Sequence, residues 1–206
     1  MDSIIFDVDG TLWNSTEIVA RSWTEYLKKE GIFMEITSEK LMSLFGRLLP
    51  DIAAILFPDL PEEEQLRIID GCCQAEQEAL EKECAPLYEG LEDTLKELSA
   101  KYPLFIVSNC QAGYIEVFLE ATGFGHYFKG HLCPGDTGLA KAENILSISR
   151  QYNLSSPVYV GDTQGDYDAC QKAGVPFIFA EYGFGSVNAD VPVIQKPADL
   201  LSLCSK

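Results

Sequence analysis

Ile4-Ile5-Phe6-Asp7-Val8-Asp9-Gly10-Thr11-Leu12 is the stretch from which the rest of the chain can be read. Ile4 to Phe6 is continuously apolar, the pattern of a strand buried on both faces, and it predicts the middle of a parallel sheet. The run ends in two carboxylates one residue apart, and Gly10 lets the backbone turn sharply behind them. Acids at the carboxyl end of a central strand stand where open α/β sheets place their ligands. Two carboxylates this close repel each other unless a cation, a proton or hydrogen bonds compensate. Taken alone, Asp9-Gly10 reads equally well as an ordinary turn, so the partners downstream decide.

Working outward, Ser15 to Glu30 has apolar residues at helical spacing (Ile18, Val19, Trp23, Tyr26, Leu27) and a stop at Gly31. Up to about Cys84 the pattern is helical throughout: short helices over Ser38 to Phe45 and Asp51 to Phe57, then a long one opened by Pro61-Glu62-Glu63-Glu64. Gly71 weakens the middle of that helix. From Pro86 the rhythm changes to alternating helices and strands. The strands are Leu104 to Val107, a short one around Gly130 to Cys133, Val158 to Val160, and Phe177 to Phe179. The helices are Leu91 to Ala100, Tyr114 to Thr122, Ala142 to Tyr152, one containing Ala169 to Ala173, and a terminal one over Ala198 to Cys204. That alternation predicts an α/β, three-layer Rossmann-like domain with a central parallel sheet. The expected organisation is a core of residues 1–14 and 86–206, interrupted by a small all-helical domain at 15–85.

Three of the expected strands end in polar clusters: Asp7 and Asp9, Ser108 and Asn109, and Gly161-Asp162-Thr163-Gln164-Gly165-Asp166. In a parallel sheet these ends share one edge, so the clusters converge. Several carboxylates gathered there require a cation, and Mg²⁺ suits a site of few protein oxygens and several waters. Asp162 or Asp166 alone would read as a helix N-cap, and Asp166 could both cap and support a metal from outside its ligand sphere. Lys141 opens a helix and is the cation expected to face the acids, although a lone lysine is by default a solvated surface group.

Order and spacing of these clusters resemble the haloacid dehalogenase-like hydrolases over nearly the whole chain. Asp7-Val8-Asp9-Gly10-Thr11-Leu12 is similar to their first motif, Ser108-Asn109 to the second, Lys141 to the third, and Asp162 with Asp166 to the acidic fourth. The helical insertion resembles the cap of the phosphoglycolate phosphatase-like subfamily. Lys141 departs from the pattern in being preceded by Gly-Leu-Ala, where many relatives have Lys-Pro nearby. The resemblance implies a Mg²⁺-dependent phosphatase of a small phosphorylated metabolite. Asp7 would be the nucleophile and Asp9 the acid and base. Ser108 and Lys141 would act in catalysis, and Gly10, Asn109 and Arg47 would contact substrate. Asp7, Asp162, Asp166 and the Asp9 backbone carbonyl would serve the metal. A phosphomutase would keep the same core, and a non-catalytic phospho-metabolite-binding protein on the same fold is the reading from another class.

The bulk numbers agree. The 206-residue chain has a net charge of −17, which argues against holding nucleic acid by its phosphates. A metal and one local cation can still invert the field of a pocket and admit a phosphate. Seven cysteines, with no C-x-x-C pair, predict free and mostly buried thiols in a reducing cytoplasm. No basic leader and no apolar run of membrane length is present in the sequence. A monomer or homodimer is expected.

Overall fold

In the computed structural model, which describes residues 1–204, the strands are β1 (Ser3–Phe6), β2 (Leu104–Val107), β3 (Phe128–Leu132), β4 (Pro157–Gly161), β5 (Phe177–Ala180) and β6 (Val193–Ile194). The helices are α1 (Thr16–Lys29), α2 (Ser38–Met42), α3 (Leu49–Leu56), α4 (Glu62–Leu80), α5 (Leu91–Ser99), α6 (Tyr114–Thr122), α7 (Pro134–Thr137), α8 (Lys141–Gln151), α9 (Gln164–Ala173) and α10 (Asp199–Leu203). All strands are parallel, in the order β3-β2-β1-β4-β5-β6. The first strand is therefore central, with Phe6 in register with Ile106 on one side and Val160 on the other. Its period-two alternation feeds two apolar cores. Ile4 and Phe6 pack on the face covered by α5, α6 and the helices that precede them in sequence, whereas Ile5 packs with Phe105 and Tyr159 under α8 and α9.

Between β1 and α5 the chain forms α1 to α4, a helical cap on the Rossmann-like core. The two connections to this cap run side by side: Asn14 N–H donates to Pro86 C=O at 2.9 Å, and Trp13 bridges Leu87. Gly71 does not break α4. A side chain there would collide with the Tyr26 hydroxyl of α1, so the glycine that weakens helix propensity is what lets these two helices approach.

Some details differ from the sequence reading, the one-turn helix α7 among them. The helix after β4 starts earlier than its apolar residues suggested, because Thr163, not an aspartate, is its N-cap. Thr163 Oγ1 accepts from Asp166 N–H at 3.2 Å while Asp166 Oδ2 accepts from Thr163 N–H at 3.0 Å, which closes a capping box. The two-residue edge strand β6 was not anticipated; so short a segment carries no periodicity to read. Among the described residues, no helix is long and apolar enough to cross a membrane.

Candidate active site

The ends of β1 and β4 and the first turn of α9 bring three aspartates together. Carboxylate oxygens of Asp7, Asp162 and Asp166 lie within 4.8 Å of one another, and all three residues are buried. Asp7 sits one residue beyond β1, its N–H donating to Val160 C=O at 2.9 Å, so the sheet itself aims it. Lys141, 4% exposed, is the first residue of α8 and reaches into the cluster. Its Nζ donates to Asp166 Oδ1 at 2.5 Å and to Asp7 Oδ1 at 3.1 Å, and lies 5.7 Å from the centre of the Tyr159 ring. The default of a solvated lysine does not hold here.

Electrostatics follow from burial. Loss of water raises the Asp7 carboxyl to about 6, against the pull of Lys141 and of the neighbouring Ser108 hydroxyl. Burial and the charges of Asp166 and Asp7 push Asp162 well above the usual carboxylate range. Burial alone would lower Lys141, but Asp166 and Asp7 outweigh it and hold the ammonium above its ordinary value. Fully ionised, the cluster of three buried carboxylates would face one ammonium and lack two positive charges, the charge of one divalent ion. Its donors are all carboxylate oxygens, the set that hard cations prefer, and the residues present fit Mg²⁺. Asp166 is the most committed of them: Oδ1 takes Lys141, and Oδ2 takes the Thr163 hydroxyl and the N–H groups of Asp162 and Thr163.

Asp9 is held apart from that cluster. Trp13 Nε1, Ser15 Oγ and Tyr114 OH donate to its Oδ1 at 3.0, 2.5 and 2.8 Å. Burial still raises its carboxyl to about 6 against these three donors. None of the three was legible in the sequence as a partner of Asp9, and Tyr114 is 105 positions away. The loop after β5 was also missed. Phe184 N–H donates to Asp162 Oδ2 at 2.7 Å, and Gly183 is a glycine because a side chain would strike Asp162 and Gly10 C=O. A glycine pair just past a strand end was the available signal, and it reads as a turn until the sheet edge is known.

Gly10 completes the wall behind the cluster. Its φ is +79°, and a Cβ there would overlap the Asp162 carboxylate. Gly10→Ala is expected to lower stability by about 2 kcal/mol, from left-handed strain plus displacement of Asp162. Thermal unfolding measures this; an unchanged midpoint would mean that the turn relaxes without touching Asp162.

Ser108 is buried beside Asp7, at the end of β2. Asn109 is drawn toward the cap: its Nδ2 donates to Gly46 C=O at 2.9 Å, leaving its buried Oδ1 without a partner. Arg47 follows in the same cap loop, exposed and lining the cavity that holds Asp7 and Asp9.

The family model for haloacid dehalogenase-like hydrolases matches residues 4–180, and the chain belongs to this family, with the helical cap of its phosphoglycolate phosphatase-like subfamily. A phosphoglycolate phosphatase of Aquifex aeolicus is 25% identical over 214 residues, covering 98% of this chain and 96% of that protein. The phosphoglycolate phosphatase of Escherichia coli K12 is 28% identical over 131 residues, 61% of this chain and 52% of that protein. Among solved structures, a haloacid dehalogenase-like hydrolase from Streptococcus pneumoniae superposes with a TM-score of 0.85 at 21% identity, covering 99% of this chain and 98% of the other. CbbY from Rhodobacter sphaeroides, solved in complex with phosphate, gives 0.80 at 19% identity, covering 97% and 96%. These structural likenesses show the shared fold.

Proposed function

We propose that this protein is a Mg²⁺-dependent phosphatase that hydrolyses a small phosphomonoester through an aspartyl-phosphate on Asp7. The observation that carries the reading is the buried cluster of Asp7, Asp162 and Asp166 around the Lys141 ammonium at one end of the sheet. Asp7 is presented at the end of the central strand and its carboxylate is held by Lys141 Nζ, the positioning an attacking group needs. Its carboxylate oxygen bonds to phosphorus as the ester oxygen leaves, which splits one difficult displacement into two. Asp9, clamped beside it and holding its proton more tightly than an exposed acid, gives that proton to the leaving oxygen. It then takes one from the water that hydrolyses the aspartyl-phosphate. Lys141 and the Ser108 hydroxyl balance charge on the phosphoryl oxygens. Asp166 positions Lys141 and, through the capping box, fixes the start of α9. Asp7 and Asp162 side chains would hold Mg²⁺, which when bound supplies charge neutralisation of the phosphoryl group.

The cap, residues 15–85 in this reading, closes the site. The cavity over Asp7 and Asp9 measures about 30 Å³, room for a water and less than any phosphomonoester needs. Ester entry therefore requires the cap to lift, breaking the Asn109–Gly46 bond and the bond from Gln77 Nε2 to Ala112 C=O. Arg47, at the rim, would meet the substrate as the cap returns.

The test is a panel of small phosphate esters assayed for released phosphate with Mg²⁺ and after chelation by EDTA. Hydrolysis should fall at least about a hundredfold on chelation and return with Mg²⁺. Equal rates with and without the ion would overturn the metal assignment. The same panel on Arg47→Ala should show a changed order of preference; an unchanged order removes Arg47 from the site. Isomerisation of a sugar phosphate supplied with its bisphosphate, without phosphate release, would identify a mutase instead.

A further inference from the structure

Glu76, on the cap helix α4, is 4% exposed and lines the same cavity as Asp7 and Asp9. It has no part in the chemistry above. Among the described residues no cation pairs with it. Its Oε2 accepts from Trp23 Nε1 at 2.6 Å and its Oε1 from Gln111 Nε2 at 2.6 Å. A carboxylate offers about four acceptor positions, so two donors leave acceptor capacity on both oxygens, facing a cavity with room for little more than a water. A buried acid in that condition is costly unless something else supplies a donor or a positive charge. Burial raises its carboxyl to about 8, and the charge of Asp9 pushes the same way, against Gln111 and Trp23. Glu76 and Asp9 therefore face the same small volume, and it is on the Asp9 side that the leaving oxygen departs.

We infer that Glu76 selects the leaving group, and that the substrate is a short phosphate ester carrying a hydroxyl or ammonium donor on the carbon beyond the ester carbon. This rests on the phosphatase reading and adds the substrate class to it. Length is limited by the apolar walls at Trp23, Leu49 and Ile52. Sign follows from the lack of a cation beside Glu76 among the described residues: a carboxylate tail there would be buried with none to pair it, whereas a hydroxyl finds acceptor positions on Glu76 and an ammonium can replace the proton that burial holds there. Arg47, the cation at the rim, is exposed and can serve an anion only at the mouth.

The experiment compares kcat/KM for 2-aminoethyl phosphate, glycerol phosphate, propyl phosphate and phosphoglycolate, in the wild type and in Glu76→Gln. Wild type is expected to prefer the two donor-bearing esters over size-matched propyl phosphate by about tenfold or more, the worth of a hydrogen bond to a charged group, and phosphoglycolate should rank last. In Glu76→Gln the ratio of aminoethyl to propyl phosphate should fall toward one. Wild-type preference for propyl phosphate or phosphoglycolate overturns the inference without needing a folded variant. So does a Glu76→Gln enzyme that loses the same factor on every ester, which would make Glu76 a tie between cap and core. Absence of hydrolysis of all four esters, and of p-nitrophenyl phosphate, would instead refute the phosphatase reading itself.

Discussion

Asp7→Asn is expected to lower turnover of any phosphate ester by at least about a thousandfold while leaving the protein folded. Asparagine has the shape of aspartate and keeps an oxygen toward Lys141 Nζ, so packing at the end of β1 should survive. What it loses is the anionic oxygen that forms the bond to phosphorus. It also removes one of three mutually repelling charges, since Asp162 and Asp166 oxygens lie within 4.8 Å; thermal stability in the absence of metal should therefore hold or rise. The direct readout is acid-quenched intact mass after mixing with substrate. Wild type should carry a phosphoryl adduct that maps to Asp7, and the variant none. Turnover within tenfold of wild type would transfer the nucleophile's role to water and leave Asp7 as a metal ligand alone.

The parts of this site that could be read in advance share a physical origin. Asp7, Ser108 and Asp162 each follow a strand buried on both faces, and such strands announce themselves as unbroken apolar runs: Ile4 to Phe6, Leu104 to Val107, Val158 to Val160. Once the sheet is parallel, their ends must share an edge, and convergence follows from topology. Lys141 was legible through its order in the chain, but its 4% exposure was not, because the environment of a helix's first residue depends on what the sheet places opposite it. The clamp on Asp9 lies further from view. Trp13 and Ser15 are sequence neighbours of Asp9, but Ser15 reads only as the start of a helix, Trp13 carries no signal of its own, and Tyr114 reads only as the first residue of α6. Glu76 was hidden for the reverse reason: α4 is rich in glutamate, and one acid turned inward among many turned outward leaves no mark on the pattern. Amphipathic periodicity reports which face is buried; it does not report a polar residue that the buried face needs.

Lys141→Met is expected to cost both activity and stability, and the two losses separate its roles. Methionine fills much of the aliphatic stem but removes the ammonium that donates to Asp166 Oδ1 and Asp7 Oδ1. Taking one partner from a buried ion pair leaves charge uncompensated, at about 3–5 kcal/mol. For a chain of this size that is a midpoint lowered by roughly 6–20 °C. Lys141→Arg should recover little of it. The planar guanidinium needs more width than the point-like Nζ has between Asp7, Asp166 and the Tyr159 ring. Adding Mg²⁺ should restore part of the lost stability in Lys141→Met, because an ion at Asp7 and Asp162 relieves the same repulsion that the ammonium did. It should not restore turnover, because the phosphoryl oxygens still lack their protein cation. Unfolding at the wild-type temperature without metal would show that protons, rather than Lys141, balance these aspartates. The arrangement would then have to be read as a site assembled only when its ion arrives.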